Sequence, residues 1–335
     1  MQPVIYGLAG ESLGNDERAF FRDADPAGYI LFRRNCVDRE QLRALTDGLR
    51  AIHGRPDLPI LIDQEGGRVA RMKPPAWPEF PSAGRFAELY RAAPMSAIEA
   101  SRANAQAIAV LLREVGVNVD CLPLLDVRQP GATDIIGDRA LGSEPMQVAA
   151  LGRAVLDGLR SRGVVGVIKH MPGHGRAMSD SHIELPIVDA GEEALEIDLE
   201  PFISLRNAPI GMMAHVLYTA WDDERPASQS PMVIEAIVRG RIGFDNLLMS
   251  DDLGMQALKG DAAQRADAVL AAGCDLALHC SGKMDEMVGI AGIADEIGDK
   301  ALERLSRAMA TVESVADGPP YAELAAKRDE LLALA

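Results

Sequence analysis

Short apolar runs recur along this chain, and helical patterns lie between them. Eight runs of about five residues have the length and the β-branched composition of buried strands. They span residues 4–8, 28–32, 59–63, 117–122, 164–168, 210–215, 246–251 and 274–278. The pattern therefore predicts eight strands.

The segments between these runs are amphipathic. After Asp38, apolar residues recur at Leu42, Leu45, Leu49 and Ile52, which is the spacing of one face of an α-helix. Asp38 belongs to the residue types that cap a helix N-terminus. Further helices are predicted over residues 96–115, 148–159 and 302–312.

Alternating strands and helices indicate parallel strands that are joined by crossover helices. The choice lies between a closed (β/α)8 barrel and an open doubly wound sheet. A dinucleotide-binding sheet needs GxGxxG after its first strand, but Gly7, Gly10 and Gly14 have the wrong spacing. We therefore predict an α/β fold in which residues 1–335 form a single (β/α)8 barrel domain.

The composition restricts the class of partner. The chain has 34 Lys and Arg against 50 Asp and Glu, a formal net charge of -16. Such an acidic chain is not expected to bind nucleic acid or an anionic membrane surface as its main ligand. We expect a small-molecule substrate, a monomer, and neither a cofactor nor a metal.

The remaining compositional signals concern location. No apolar run approaches the ~20 residues of a membrane helix, and the N-terminal stretch lacks the pattern of a secretory signal. The four cysteines, Cys36, Cys121, Cys274 and Cys280, have no CxxC spacing, which favours reduced, buried thiols. We expect a cytoplasmic protein.

Candidate chemistry is densest after the fifth apolar run. Lys169 and His170 stand at its carboxyl end, and the following loop holds His174, Asp180 and His182, so three of the six histidines lie within thirteen residues. Loops carried on rigid strands often hold catalytic groups. An Asp two residues before a His can accept the imidazole N–H, which fixes the tautomer and favours the protonated ring. His182 is therefore a candidate general acid.

The letters of this loop, KHMPGHG followed by SDSH, resemble the signature of family 3 glycoside hydrolases of the β-N-acetylglucosaminidase type. These are bacterial enzymes of peptidoglycan recycling, and their usual form is KHFPGHG with DSH a few residues later. Met171 stands where the family usually has Phe. The resemblance implies a glycosidase that acts on an amino sugar.

The resemblance also implies which residues bind the sugar. The stretch DQEGGRVAR is similar to a family pattern in which Asp63 and Arg71 would contact the non-reducing GlcNAc. Arg139 matches the family's substrate-binding Arg in the IGDR motif, and Lys169 and His170 match positions that bind sugar hydroxyls.

Four other polar residues near strand ends have less defined roles. Glu65 could support the neighbouring groups instead of touching the sugar, and Asp126 is expected to be mostly structural. His174 fits the motif, either lining the site or holding its loop. His215, in a run that lines the site in the family, is expected to line the site without a catalytic role.

The seventh run ends in SDD, which resembles the family's SDDLSM, although Gly254 replaces the second Ser. The first Asp of that motif attacks the anomeric carbon, so the resemblance makes Asp251 the nucleophile, with Ser250 and Asp252 in support. Adjacent side chains on a strand point to opposite sides, so one carboxylate is expected to enter the pocket. Ser250 or Asp252 could also cap a helix.

The implied reaction is retaining removal of non-reducing GlcNAc from GlcNAc-1,6-anhydro-MurNAc, with or without its peptide. Asp251 would form a covalent glycosyl intermediate, while His182, oriented by Asp180, would serve as acid and then as base. A His donor avoids a second anion beside the nucleophile.

Three alternatives remain open at this point. A phosphate-dependent β-N-acetylglucosaminide phosphorylase could use the same residues, because a His repels phosphate less than a carboxylate does. A metal-dependent barrel hydrolase would need ligands from several strands, yet the first strand supplies no His. A sugar-binding protein without catalysis would keep Asp63 and Arg71 but lose the nucleophile or the dyad, and both are present here.

Overall fold

The apolar runs form a closed barrel of eight parallel strands. The computed structural model describes residues 1–132, 134–312 and 318–335. The strands are β1 Gln2–Gly7, β2 Pro26–Leu31, β3 Ile60–Ile62, β4 Val119–Asp120, β5 Val165–Met171, β6 Ile187–Val188, β7 Ile210–Met213, β8 Leu217–Tyr218, β9 Leu247–Asp252 and β10 Leu276–His279. Neighbours in the barrel follow the order β1, β10, β9, β7, β5, β4, β3 and β2, so the predicted (β/α)8 barrel is confirmed.

Helices connect the barrel strands. In the described ranges the α-helices are α1 Asn15–Ala24, α2 Arg39–His53, α3 Ala83–Ala92, α4 Pro94–Glu114, α5 Pro145–Ser161, α6 Glu192–Ser204, α7 Ala262–Ala272, α8 Met284–Ala291, α9 Asp299–Ala310 and α10 Tyr321–Leu332. A π-helical segment, Val233–Ile242, precedes β9. The predicted helices over residues 96–115, 148–159 and 302–312 correspond to α4, α5 and α9.

The second helix illustrates how the sequence sets these elements. The Asp38 carboxylate accepts the Gln41 backbone N–H at 2.8 Å, which satisfies one of the free donors at the start of α2. Leu42, Leu45 and Leu49 are then fully or almost fully buried along one face. Burying each of these side chains stabilises the fold by about 1.5–3 kcal/mol.

Two features of the strands differ from the prediction. The run over residues 117–122 forms only the two-residue strand β4, because the chain turns at once and the Leu122 N–H bonds to the Asp120 carbonyl at 2.7 Å. β6 and β8 form a separate parallel pair outside the barrel. Strands of two residues are too short to produce a readable pattern.

The core has two parts. Side chains such as Ile5, Leu61, Val167 and Leu247 fill the barrel interior, and a larger cluster lies between the strands and the helices. All four cysteines are buried and free, as predicted. Among the described helices none is both long and apolar enough to cross a membrane.

The last helix, α10, packs against α4. Lys327 forms an ion pair with Glu99 at 2.6 Å, and Arg328 donates to the Asn104 side chain at 3.2 Å. Residues near the C-terminus therefore pack onto the helical layer of the barrel.

Candidate active site

A cavity of about 240 Å³ opens at the carboxyl ends of the barrel strands, where catalytic groups of such barrels gather. Eight of the predicted residues line it: Asp63, Arg71, Arg139, Lys169, His170, His174, His182 and Asp251. Asp180 and His215 do not line it. The barrel thus brings together groups that are up to 188 residues apart (251 − 63).

Five charged side chains form one continuous line along the cavity wall, with alternating sign. The Arg71 guanidinium lies 2.9 Å from the Asp63 carboxylate, and Lys169 Nζ lies 3.0 Å from Asp63 and 2.7 Å from Glu65. Glu65 in turn accepts two hydrogen bonds of 2.8 Å from Arg139. Each predicted sugar-binding group in this line is held by its neighbours.

These groups keep their charges despite their burial. Burial alone would raise the pKa of Asp63, but Lys169 and Arg71 outweigh it and hold that pKa below its usual value. The pKa of Glu65 is lowered in the same way, by Lys169 and Arg139 against burial. Burial would lower the pKa of Lys169, but the two carboxylates raise it. The wall therefore presents charged donors and acceptors.

The buried amide of Gln64 shapes the turn that carries this line. Its oxygen accepts the backbone N–H groups of Arg71 and Met72 at 3.0 Å each, and its NH2 donates to the Met72 carbonyl at 3.0 Å. The Gln64 backbone N–H donates to the Asp120 carboxyl at 3.0 Å. This arrangement folds Arg71 back onto Asp63, eight residues earlier.

His170 is held by a buried carboxylate. Its Nδ1 lies 2.8 Å from Asp126, whose other oxygen accepts the backbone N–H groups of His170 at 3.2 Å and of His174 at 2.7 Å. Against burial, His170 and His174 lower the pKa of Asp126 to about 2. An ionised Asp126 accepts the Nδ1 proton, which leaves the opposite ring nitrogen of His170 free to act in the cavity. Asp126, expected to be mostly structural, also orients a cavity residue.

His174 lines the cavity, and in the loop that follows β5 its backbone N–H bonds to Asp126. Burial lowers its pKa, and the neighbouring His170 lowers it further, so the ring is neutral at pH 7. Its Nδ1 has no hydrogen-bond partner among the described residues.

At the end of β9, Asp251 and Asp252 both line the cavity, so the expectation that only one carboxylate enters it is wrong. Asp251 Oδ1 accepts the Asp252 backbone N–H at 2.8 Å. Asp252 is tied down by the backbone N–H groups of Gly254 at 2.9 Å and Cys280 at 3.1 Å. These bonds leave Oδ2 of each carboxylate outside the backbone contacts, but Asp251 is buried whereas Asp252 is half-buried.

The surroundings of Asp251 favour its ionised form. Burial would raise the pKa of this carboxyl, but His170, His215 and the Asp252 N–H together lower it below its ordinary value. A buried anion at the end of a barrel strand is suited to attack an electrophilic carbon.

Helix capping by this motif, the other reading of SDD, is wrong. Ser250 donates to the Asp251 carbonyl at 2.8 Å and accepts the Leu278 N–H from the adjacent strand at 3.1 Å. The next helix, α7, starts ten residues after Asp252 (262 − 252) and is capped by Asp261. The Ser250 hydroxyl therefore bonds to the adjacent strand instead of to a helix N-terminus, and the sequence does not show which strands are adjacent.

Asp180 and His182 form the expected pair on the loop after β5. His182 Nδ1 lies 2.8 Å from Asp180 Oδ1, which also accepts the His182 backbone N–H at 2.9 Å. Burial opposes the charged form, but the bonds from His182 lower the pKa of Asp180. The His182 side chain is 62% exposed at the cavity edge. Such an imidazole can exchange protons with a bound ligand or with water.

A model of the glycosyl hydrolase family 3 N-terminal domain matches residues 10–315. The chain belongs to glycosyl hydrolase family 3. A beta-hexosaminidase from Alkalilimnicola ehrlichii is 41% identical over 284 residues, which cover 83% of this chain and 80% of that protein. The family resemblance of the motifs is thus confirmed.

Solved structures give the same result for the fold. The crystal structure of native NagZ from Neisseria gonorrhoeae superposes with a TM-score of 0.86 at 29% identity, covering 100% of this chain and 98% of that chain. The crystal structure of that protein in complex with N-trifluoroacetyl-D-glucosamine also has a TM-score of 0.86 at 29% identity, with 99% and 98% covered.

In this family 3 glycoside hydrolase, His215 lies behind the cavity and does not line it, contrary to expectation. It is fully buried, with Nδ1 at 2.7 Å from Ser228 Oγ and Nε2 at 3.1 Å from the Asp252 carbonyl. Burial lowers its pKa, so it is neutral at pH 7. It supports the backbone next to Asp251.

The sequence did not single out Phe32, which lines the cavity of this glycoside hydrolase. The guanidinium groups of Arg34 and Arg71 lie 5.0 and 4.9 Å from the centre of its ring. Such contacts contribute about 0.5–1 kcal/mol at accessible sites. Its position at the end of the second apolar run could have indicated that it lies at the cavity.

The described part of this family 3 chain holds no group of three or more His, Cys, Asp and Glu side chains arranged around a common point. His170 and His174, which lie near each other, both contact Asp126.

Proposed function

We propose that this family 3 glycoside hydrolase is a retaining exo-β-N-acetylglucosaminidase. The observation that supports it best is that one cavity is lined both by Asp251, an ionised buried carboxylate, and by His182, whose ring is bonded to Asp180. A nucleophile and a separate proton donor are the two groups that a retaining glycosidase needs.

The line of alternating charges would orient the sugar. Asp63 would accept hydrogen bonds from ring hydroxyls, and Arg71, Arg139 and Lys169 would donate to them. Charged groups fixed by their neighbours lose little freedom when a ligand binds, which lowers the cost of association. His170, with its tautomer set by Asp126, would add a further contact.

The reaction would proceed in two displacements. Asp251 attacks the anomeric carbon while His182 gives its Nε2 proton to the leaving oxygen, and a glycosyl ester on Asp251 results. The neutral His182 then takes a proton from water, whose oxygen displaces the Asp251 carboxylate. Two inversions at the same carbon retain its configuration.

The relatives support an amino-sugar substrate. The Alkalilimnicola protein is a beta-hexosaminidase, and the Neisseria protein forms a complex with N-trifluoroacetyl-D-glucosamine. We propose GlcNAc-1,6-anhydro-MurNAc, with or without its peptide, as the substrate in bacterial peptidoglycan recycling. We further propose a cytoplasmic monomer of one domain over residues 1–335 that binds neither nucleic acid nor membrane.

The test compares wild type, Asp251→Ala and His182→Ala on an aryl β-N-acetylglucosaminide, with the aryl β-glucoside as a control substrate. We expect the wild type to prefer the amino sugar and Asp251→Ala to be inactive. Activity of Asp251→Ala, or an inert wild type, would contradict the proposal.

Phosphorolysis by the same residues is the second candidate, supported by the uncharged or cationic character of an exposed His182 compared with a carboxylate. Identifying the product in phosphate buffer separates the two reactions. Formation of free GlcNAc alone supports hydrolysis, whereas formation of GlcNAc-1-phosphate would show that the enzyme is a phosphorylase.

A further inference from the structure

The segment that carries Asp180 and His182 has few ties to the rest of the molecule. Among the described residues, 177–185 make two hydrogen bonds to residues outside that range: the Ala177 N–H donates to the His174 carbonyl and the Ala257 N–H donates to the Ser181 carbonyl, each at 3.1 Å. Met178 and Ile183 are 62% and 73% exposed, whereas Ala177 and Ser181 are buried. The position of His182 therefore depends on the Ser181 contact and on the two ends of the segment.

The carboxyl end is tied by backbone pairing. β6 pairs in parallel with β8, and the Leu217 N–H donates to the Pro186 carbonyl at 2.9 Å. These bonds form independently of side-chain identity. A side-chain substitution there would not release this end of the loop.

At the amino end, the Arg176 side chain ties the loop to α6. Arg176 Nε donates to the Asp198 carboxylate on α6, and its Nη2 donates to the Ala194 carbonyl at 2.7 Å. The Asp198 side chain is 2% exposed. Burial raises the pKa of Asp198 to about 6, with Arg176 opposing the rise, so the pair is charged at neutral pH.

The loop backbone packs closely on the same carboxylate residue. A Cβ atom at Gly173, where φ is +133°, would lie 2.9 Å from Asp198 Cβ. The buried Tyr218 hydroxyl donates to the Gly173 carbonyl at 2.8 Å. Asp198 thus lies against the loop backbone at Gly173 and also binds the Arg176 side chain.

We propose that Arg176 and Asp198 are a positioning pair that holds the acid/base loop at the cavity and so supports proton donation by His182. The inference rests on the proposed role of His182. Neither residue lines the cavity. Asp180 follows Arg176 by four positions, a reach of at most ~14 Å. Fixing Arg176 therefore limits where the Asp180–His182 pair can lie.

The experiment uses two substrates that differ in their need for an acid. The dinitrophenolate of a 2,4-dinitrophenyl β-N-acetylglucosaminide leaves without being protonated. The sugar that leaves from a β-1,4-linked GlcNAc disaccharide must be protonated. The kcat/KM value covers substrate binding and cleavage of the glycosidic bond, but not the later hydrolysis of the glycosyl intermediate. For Arg176→Met and Asp198→Asn we expect kcat/KM to fall about 10- to 10²-fold on the disaccharide and less than about threefold on the aryl substrate.

Two further variants test the pair itself. Arg176→Lys keeps the charge and should recover part of the disaccharide activity, and the double variant should lose no more than either single variant. Glu196→Gln is the matched control, because Glu196 lies on α6 like Asp198 and forms a partly exposed ion pair with Arg241 of the π-helical segment. We expect it to match wild type on both substrates.

His182→Ala separates the failure of this inference from the failure of the proposed function. If His182→Ala loses the same fraction of kcat/KM on both substrates, the proposed acid role is wrong. If His182→Ala discriminates between the substrates but Arg176→Met does not, the positioning role is overturned. Because Asp198→Asn could impair folding, thermal unfolding is followed for every variant, and the partly exposed Arg176 decides the outcome.

Discussion

The buried carboxylate of Glu65 accepts two hydrogen bonds from the Arg139 guanidinium, each 2.8 Å long. The same carboxylate lies 2.7 Å from Lys169 Nζ. One side chain thus fixes two of the groups proposed to bind the sugar. Because Glu65 and Lys169 are buried and the Arg139 side chain is only 14% exposed, their interactions are screened little by water.

Glu65→Gln should weaken substrate binding and lower stability together. The amide keeps the shape but loses the negative charge that compensates the buried Lys169 and the half-buried Arg139, so we expect the free energy of unfolding to fall by about 3 kcal/mol. Displacement of Arg139 and Lys169 should lower kcat/KM by about 10²-fold, mainly through KM. Steady-state kinetics and thermal unfolding measure both effects.

A matched control for this variant is Glu303→Gln. It removes the exposed ion pair to Arg307, which is 3.5 Å long and lies on α9. Exposed pairs contribute about 0–1 kcal/mol, so stability should change little. If Glu65→Gln behaves like this control, the line of alternating charges does not hold the site.

Asp251→Asn should remove activity while Asp252→Asn reduces it less. Asp251 is the proposed nucleophile, so its loss should lower kcat by about 10⁴-fold or more. Asp252 accepts the Gly254 and Cys280 N–H groups, and an Asn oxygen can replace that contact. Turnover of the aryl β-N-acetylglucosaminide measures both, and the reverse order would move the nucleophile to Asp252.

Gly175→Ala should displace the loop at its start. An added Cβ would overlap the Val127 backbone carbonyl, which cannot move without distorting the neighbouring chain. We expect a loss of about 1–3 kcal/mol in stability, together with reduced activity. Gly10→Ala is the control, because nothing lies within 4 Å of its added Cβ. Equal unfolding temperatures for the two variants would contradict the tight packing.

Asp126→Asn should make the protein less sensitive to acid. The pKa of Asp126, about 2 in the folded state, lies below its ordinary value of 3.8. A depressed carboxyl pKa stabilises the fold above pH ~4, and this stability is lost as the pH falls towards 2. In chemical denaturation at several pH values, the variant should be less stable at pH 7 and show a flatter slope below pH 4. An unchanged slope would show that other carboxyl groups dominate acid unfolding.

The strands and the residues at their ends could be predicted because their signals are local. Apolar runs with polar residues after them gave all eight barrel strands and placed Asp63, Lys169 and Asp251 at the cavity. The position of the His215 side chain, behind the cavity, could not be predicted. Whether a residue at the end of a strand faces the cavity or the strand behind it depends on the register and twist of β7 and β9.

Sequence alone determined the order of strands and helices, the family motifs and the chemical types available at the cavity, since these follow from hydrophobic periodicity and residue identity. Only the tertiary structure decided that Glu65 joins Arg139 to Lys169, that Asp126 orients His170, and that Arg176 is held by Asp198 on α6. These partners are 22 to 104 residues apart in sequence (198 − 176 and 169 − 65). No local pattern encodes such a pairing, because it arises from closure of the barrel and the packing of its helices.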